Sequence, residues 1–276
     1  MTVEQILALE RRLVNAWPAF EIELAEGWLL RFAEGYSKRA NAATPIVPGA
    51  RLDADLVEAI AASYAARDMP VCFRLTGVEA EGAAKLLAAC GLVEHEASLG
   101  LLAPLDIALA VDPSITLAPA PTARWTAAAA AAYGGEKANA DRLSRILARI
   151  RQPAAYATLN LDGEEAAWGF AVAERGYAGL YDIVVAPELR GLGLGRRLVA
   201  GLLGWGHAAG ARRAYLQMRE ENEVAFALYR SLGFDLAYRY THFVVGGGRR
   251  SEGSAAASAP ATVSTQASAS DQDGSA

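Results

Sequence analysis

The sequence contains few of the residues that build metal sites and disulfide frameworks. Its 276 residues include two cysteines and three histidines, and none of them falls at a spacing typical of metal ligands. Cys72 and Cys90 stand among apolar neighbours, a setting that predicts buried, unreactive thiols. We therefore expect a functional site without a metal ion.

Long apolar runs and an excess of positive charge are also missing. Charged residues, proline or glycine interrupt every apolar stretch before it reaches the ~18 residues that a membrane-spanning helix needs. The first residues, Met1 to Gln5, contain neither the basic segment nor the apolar core of a signal peptide, so we expect a cytoplasmic protein. A formal net charge of −5 argues against nucleic acid. The expected partners thus include neither membranes nor nucleic acids.

Composition divides the chain into two halves and a tail. With 53% hydrophobic residues, each half has enough apolar side chains for a core. Prolines punctuate residues 104–121, which we interpret as a linker and first strand between an N-terminal domain, 1–103, and a second domain, 114–245. From 246 to 276 the chain is polar, small and without periodicity, which predicts a disordered tail.

The C-terminal half alternates strand and helix patterns in an order typical of an α/β (α+β) fold. The turn dipeptides Asp162-Gly163 and Arg175-Gly176 separate three strand-like runs and predict an antiparallel meander. A helix from about residue 193 to residue 209 follows, and then a strand, a helix and a strand. The pattern predicts a mixed sheet flanked by helices.

The N-terminal half contains an echo of this order. Residues 85–92 can be aligned with residues 227–234, and in both a helix runs into a glycine, Gly91 or Gly233, followed by an apolar residue and a strand. The alignment predicts two tandem halves of similar topology. The alternative is that any junction of a helix, a glycine and a strand looks like this.

The segment from Ile183 to Leu198 contains the strongest functional signal. A buried strand pattern ends at Pro187, and a glycine-rich loop then opens a helix. Such a loop directs several backbone N–H groups at one point, located at the positive end of the helix dipole, where a phosphate binds readily. Arg190, Arg196 and Arg197 would add charge-assisted hydrogen bonds. We predict a site for a phosphate or diphosphate group.

The spacing of the glycines distinguishes among phosphate-binding loops. A dinucleotide fingerprint needs a third glycine where Arg196 stands, and the P-loop pattern G-x-x-x-x-G-K-[ST] does not occur here. The pattern that fits is R-x-x-G-x-G, from Arg190 to Gly195, after a strand that ends in Val185-Ala186-Pro187.

The motifs that follow this loop complete a resemblance. A strand, Asn222, a helix with Tyr229 and then Gly233-Phe234 come next. In this arrangement, residues 114–245 resemble the GNAT superfamily of acyl-CoA-dependent N-acyltransferases. The N-terminal half lacks the loop motif and looks like a degenerate second domain of the same type, similar to that of a two-domain bacterial acetyltransferase group.

The resemblance implies a fold, a cosubstrate and the residues that bind it. The fold would be a GNAT-like mixed sheet flanked by helices, in two tandem copies, and the cosubstrate would be acetyl-CoA or another acyl-CoA. Backbone groups at the end of the strand would receive the pantetheine, and those of the loop the diphosphate. The residues so implied are Val184, Val185, Arg190, Gly191, Leu192, Gly193, Leu194, Gly195, Arg196 and Asn222.

The resemblance also implies catalytic side chains. Tyr229 would protonate the departing thiolate of coenzyme A, unless it is only an aromatic residue of the core. Asp182 would take a proton from the acceptor, because an alkylamine with a pKa of about 10 is mostly charged at neutral pH. Glu220 and Glu221 are competing carboxylates. Asn222 would cap the helix and also touch the cosubstrate.

The expected activity is transfer of an acetyl group from acetyl-CoA to a small-molecule or peptide amine. The alternatives are a non-catalytic, acyl-CoA-binding regulatory module and a nucleotide-dependent oxidoreductase. The polar loop Ser37–Asn41, with Arg31 and Arg74, suggests that the N-terminal half supplies one wall of the acceptor site. Pairing of two GNAT-like sheets within one chain could replace dimerisation, so a monomer and a homodimer are both compatible with the sequence.

Overall fold

The computed structural model describes residues 1–106, 112–131 and 137–246, apart from the side chains of residues 137 and 138. The described helices are α1 (Val3–Ala16), α2 (Ala54–Ala65), α3 (Ala83–Ala89), α4 (Ala123–Ala131), α5 (Lys137–Leu147), α6 (Leu194–Ala208) and α7 (Glu223–Arg230). The described strands are β1 (Glu21–Ala25), β2 (Trp28–Phe32), β3 (Thr44–Pro45), β4 (Cys72–Leu75), β5 (Leu92–Pro104), β6 (Ile115–Ala118), β7 (Ala154–Leu161), β8 (Glu164–Glu174), β9 (Tyr177–Val185), β10 (Arg213–Arg219) and β11 (Asp235–Val245). The predicted tail, except for Gly246, lies outside the described residues.

Eight of these strands form one mixed sheet in the order β4-β11-β5-β10-β9-β8-β7-β6. Strands β6 to β9 are an antiparallel meander, and β10 runs parallel to β9. All residues of the Asp162-Gly163 and Arg175-Gly176 turns have positive φ, as the tight hairpin turns favoured by strand twist require. The predicted meander and the mixed α/β fold are confirmed.

Two strand–helix–strand units exchange strands at one end of this sheet. Unit β4-α3-β5 comes from the N-terminal half and unit β10-α7-β11 from the C-terminal half, and β5 pairs antiparallel with β11. On its other edge β5 pairs with β10, while β11 pairs with β4. In each unit a glycine of positive φ, 84° at Gly91 and 85° at Gly233, leads from helix to strand. The two segments aligned in the sequence therefore occupy equivalent places in the pairing.

The division of the chain into domains stays a prediction. Strands from both sides of residue 104 lie in the same sheet, with β5 inserted between β10 and β11. Helix α1 also packs on the C-terminal half: Leu9 and Leu13 share a buried core with Trp125 of α4 and Phe170 of β8. On the opposite face of the sheet, α6 packs against β7, β8 and β9. The N-terminal half is thus built into the sheet that carries the glycine-rich loop.

A buried ion pair attaches α1 to strands of both halves. Glu10 accepts hydrogen bonds from both terminal nitrogens of Arg74 in β4, with Nη2 at 3.0 Å. It also accepts from Gln217 Nε2 at 3.0 Å and from the hydroxyl of Tyr238. The side chains of Arg74 and Glu10 are 1% and 4% exposed. Each of the two buried charges therefore has a partner of opposite charge, as a buried ion pair requires.

The prediction for one cysteine is wrong. Cys72 is buried in β4, and burial raises the pKa of its thiol to about 12. Cys90 is exposed because it follows the last turn of α3, a helix whose buried positions are Ala83 and Leu87. Both thiols are free.

Candidate active site

The glycine-rich loop joins β9 to α6. After Val185 the chain makes a 3₁₀ turn, Pro187–Leu189, and enters α6 at Leu194. Gly191 and Gly193 have φ values of 82° and 76°, a left-handed conformation that glycine adopts at little cost. A Cβ built on either glycine would meet no atom within 4 Å. Backbone conformation therefore requires glycine here, and the space beside both residues is open.

The backbone amides of this loop have the features of an anion cradle. Among the described residues, no amide from 191 to 196 donates a hydrogen bond to a backbone carbonyl; Arg197 is the first to do so, to Gly193 at 3.2 Å. Residues 190–193 are exposed, and α6, a helix of fifteen residues, begins directly after them. Unpaired N–H groups at the positive end of a helix dipole favour a bound anion.

Strands β9 and β10 separate beside this loop. They pair only between Tyr177–Leu180 and Arg213–Leu216, although β9 continues to Val185 and β10 to Arg219. Beyond the paired region, β9 is paired with β8 on one edge and not with β10 on the other. The edge of β9 at Val184 and Val185 therefore borders a gap in the sheet. This gap ends where the glycine-rich loop begins.

A β-bulge turns β9 at the start of this gap. Asp182 and Ile183 together oppose Gly169 of β8, and Asp182 has a φ of 48°, rare for a residue other than glycine. A Cβ on Gly169 would lie 2.6 Å from Ile183 Cδ1, so a larger residue opposite the bulge would force the Ile183 side chain to move. The Asp182 carboxylate is buried, and its Oδ1 lies 3.8 Å from Nη1 of Arg39.

Tyr229 is buried on α7. Its exposed fraction is 7%, and its ring packs edge-on against Phe234 with the centroids 5.8 Å apart. Burial raises the pKa of its hydroxyl to about 12, while the charge of Arg39 acts in the opposite direction. The hydroxyl therefore keeps its proton at neutral pH, the state that a general acid needs.

Asn222 caps the helix that carries Tyr229. Its Oδ1 accepts a hydrogen bond from the backbone amide of Ala225 at 3.0 Å, which satisfies one of the amides that a helix start leaves unpaired. The predicted capping role is confirmed, and contact with the cosubstrate stays a prediction.

The three arginines of the loop segment have different surroundings. Arg190 is exposed. Arg196 donates to the backbone oxygen of Ser231 at 3.2 Å and to its hydroxyl, which links α6 to the end of α7. Arg197 instead pairs with Asp112, Nε to Oδ2 at 2.8 Å, and donates to Ser114 Oγ at 2.9 Å. The prediction that Arg197 serves the phosphate site is corrected, because Asp112 and Ser114, just before β6, hold its guanidinium.

The competing carboxylates after β10 form surface ion pairs. Glu220 Oε2 lies 2.9 Å from Nε of Arg239, and Glu221 Oε1 lies 3.2 Å from Nη1 of Arg219. The Glu220 and Glu221 side chains are 44% and 71% exposed. Solvent thus remains in contact with both groups, in contrast to the buried Asp182.

Two residues expected to form a wall of the acceptor site lie inside the protein. Arg31 and Arg74 are each 1% exposed. Arg31 donates to the backbone oxygens of Arg39 and Trp17, and Arg74 pairs with Glu10. Their role is therefore to hold neighbouring segments in place. Arg39, one residue of the polar loop, reaches Asp182 instead, a contact that only the folding of the two halves onto each other creates.

A family model described as "Probable histone acetyltransferase Rv0428c C-terminal" matches residues 3–243. The chain belongs to this family. The match covers the N-terminal half as well as the half that carries the glycine-rich loop, in agreement with the shared sheet.

Similar proteins point to the same superfamily. The chain is 27% identical over 241 residues to the uncharacterized N-acetyltransferase YobR of Bacillus subtilis, with 84% of this chain and 95% of the relative covered. It is 30% identical over 248 residues to the probable histone acetyltransferase Rv0428c of Mycobacterium tuberculosis, with 84% and 71% covered. A solved structure of a GCN5-related N-acetyltransferase from Kribbella flavida has the same fold, with a TM-score of 0.64, 21% identity, and 90% and 96% covered. The family member described here is a GNAT-type acyltransferase, as predicted.

Within the described ranges, no group of three or more His, Cys, Asp and Glu side chains is placed to hold a metal ion. No helix in the described part of the chain is long and apolar enough to cross a membrane.

Proposed function

We propose that this acyltransferase moves an acetyl group from acetyl-CoA directly to an amine, with Tyr229 as the general acid. The observation that carries the proposal is the row of unpaired loop amides, 191–196, at the start of α6, next to the gap between β9 and β10. A diphosphate suits such a cradle, and an extended pantetheine arm suits an unpaired strand edge.

Different residues would bind different parts of the cosubstrate. Backbone groups of Arg190, Gly191, Leu192, Gly193, Leu194, Gly195 and Arg196 would hold the diphosphate, and those of Val184 and Val185 the pantetheine. Asn222 would add a contact from the start of α7. The bound thioester supplies an activated acetyl group, which an uncharged amine can attack.

Tyr229 and Asp182 would then manage protons. The Tyr229 hydroxyl, protonated at neutral pH because burial raises its pKa to about 12, would donate a proton to the leaving sulfur. The Asp182 carboxylate, at the bulge that opens the gap, would receive the proton that the amine loses, directly or through a water molecule.

The acceptor is proposed to be a small-molecule or peptide amine. The name of the Mycobacterium tuberculosis relative, probable histone acetyltransferase, makes a lysine side chain in a peptide one candidate to test. Location in the cytoplasm, and the choice between monomer and homodimer, stay predictions from the sequence.

The proposal is tested by measuring free thiol released from acetyl-CoA in the presence of single amines. The panel contains a polyamine, free amino acids, a peptide with a free N-terminus and a peptide with an internal lysine. Release that depends on one amine, with the acetylated product identified by mass spectrometry, supports the proposal. Binding of coenzyme A in calorimetry without release for any amine would favour the non-catalytic module, and absence of both would reject the anion cradle as a coenzyme A site.

A further inference from the structure

We infer that Arg39, supplied by the N-terminal half, is a positioning residue of the acetyl-transfer site that orients the Asp182 carboxylate. The inference rests on the proposed function and adds to it a required contribution from the half that lacks the glycine-rich loop. Its starting observation is the ion pair between Arg39 Nη1 and Asp182 Oδ1 at 3.8 Å.

The two partners of this pair differ in burial. The Asp182 side chain is 0% exposed and the Arg39 side chain 22% exposed. A carboxylate removed from water needs a compensating charge or hydrogen bonds, and Arg39 supplies a charge from the solvent side. The pair therefore joins a buried carboxylate, at the bulge where the gap between β9 and β10 begins, to a guanidinium that solvent still reaches.

The turn that carries Arg39 is fixed from several directions. Arg39 lies in a 3₁₀ turn, Lys38–Ala40. Asn41 fastens the loop before it, since its Nδ2 donates to the backbone oxygens of Tyr36 and Ser37, both at 2.8 Å. Its Oδ1 accepts from the amide of Ala33 at 2.7 Å. These bonds close the loop upon itself.

Further contacts tie this turn to the rest of the molecule. Arg31 donates to the backbone oxygen of Arg39 itself, and the indole nitrogen of Trp17 donates to Ser37 Oγ at 2.9 Å. Lys38 pairs with Glu96 of β5 at 3.0 Å. A flexible arginine on a mobile loop would lose conformational entropy on pairing, whereas this backbone is already held in place.

The Arg39 guanidinium also interacts with Trp17 and with Tyr229. It lies over the ring of Trp17, with Cζ 5.7 Å from the centroid, within the range of cation–π attraction. Its positive charge also reaches Tyr229, where it opposes the effect of burial on the hydroxyl. One side chain of the N-terminal half thus acts on both residues to which proton transfer is assigned, and it does so without belonging to the cradle.

The test compares Arg39→Gln and Arg39→Lys with Arg51→Gln, an exposed arginine of the same half. We expect Arg39→Gln to lower kcat about 10- to 100-fold, the scale of a misoriented reacting group, while the KM for acetyl-CoA changes less than about twofold. Arg39→Lys should restore part of kcat because it keeps a charge, and Arg51→Gln should match the wild type. An Arg39→Gln variant with wild-type kcat, or a loss of kcat that the lysine does not reduce, would overturn the inference.

A double-variant cycle keeps the two proposals separate. Asp182→Asn and the variant with both Asp182→Asn and Arg39→Gln are compared with the single variants in thermal unfolding, which needs no substrate. If the pair is formed, the two losses in Tm should not add. A wild-type chain that acetylates no amine would reject the proposed function, and simple addition of the two Tm losses would reject the Arg39–Asp182 pair.

Discussion

Gly193 and Gly195 stand two residues apart at the start of α6, yet only Gly193 has a positive φ, 76°. A Cβ on Gly195 would make ordinary contacts, 3.5 Å from Leu228 Cδ2 and 3.6 Å from Val185 Cγ2. The protein's own conformation therefore requires glycine at the first position and tolerates a methyl group at the second.

This difference predicts separate effects of two matched substitutions. Gly193→Ala should lower the free energy of unfolding by about 1 to 2 kcal/mol, because a side chain is disfavoured in the left-handed region. Gly195→Ala should leave stability unchanged within about 0.5 kcal/mol, or raise it, since alanine favours helix. Gly193→Ala should also weaken coenzyme A binding, because its methyl group would enter the open space beside the loop, whereas Gly195→Ala should change this binding less. Urea unfolding and calorimetry measure both effects, and a Gly193→Ala variant as stable as the wild type contradicts the first.

Tyr229→Phe should separate binding from catalysis. We expect kcat to fall about 100-fold, the scale of a lost general acid, while coenzyme A binds with unchanged affinity because the phenyl ring still packs on Phe234. Tyr156→Phe is the control, since burial also raises the pKa of Tyr156 to about 12 but its strand, β7, lies two strands from β9 in the sheet. Equal thiol release by Tyr229→Phe and the wild type would remove Tyr229 from the mechanism.

The buried pair Glu10–Arg74 should be essential for the attachment of α1. Glu10→Gln leaves the Arg74 guanidinium buried without a negative charge, so we expect a loss of about 3 to 5 kcal/mol in the free energy of unfolding. Glu164→Gln, which removes a partner of Arg124 in an ion pair with exposed fractions of 66% and 84%, should change it by less than about 1 kcal/mol. If the two substitutions lowered the free energy of unfolding equally in urea, burial would not determine how much these ion pairs contribute to stability.

His242 should make stability depend on pH. Burial, together with the charges of Arg74, Lys38, His95 and Arg39, lowers the pKa of its imidazole well below the usual 6.5. Below about pH 6.5 the unfolded chain then binds more protons at this residue than the folded chain does. The free energy of unfolding should therefore fall as the pH decreases from about 7 to about 5, by at most about 1.4 kcal/mol per pH unit from this residue.

His242→Phe isolates this contribution. The variant keeps an aromatic ring beside Tyr240, whose centroid lies 5.6 Å from that of His242, but it cannot be protonated. Urea unfolding at about pH 5 and about pH 8 should show a smaller difference for the variant than for the wild type. An identical difference in both proteins would mean that His242 does not titrate in this range.

Local patterns in the sequence were sufficient for much of the C-terminal half. The Asp162-Gly163 and Arg175-Gly176 turns defined the meander, since their conformation depends on residues adjacent in the chain. The same holds for the loop before α6, where Gly191 and Gly193 supply positive φ, and for the cap at Asn222.

The direction in which a side chain points could not be predicted from the sequence in the same way. Arg197 resembles Arg196 in sequence, yet it pairs with Asp112, 85 residues away. Arg31 and Arg74 had the charge expected of a binding wall, but both are buried and hold backbone or Glu10. The spacing of these arginines along the sequence does not indicate which residues they contact in the folded protein.

The sequence by itself determined the local conformations and the family pattern, because turns, caps and glycine-rich loops are specified by neighbouring residues. Only the tertiary structure decided that β5 of the N-terminal half lies between β10 and β11, and that Arg39 meets Asp182. The reason is that strand exchange and ion pairing across 143 positions of sequence depend on how two halves pack, and packing energy is summed over contacts that are distant along the chain.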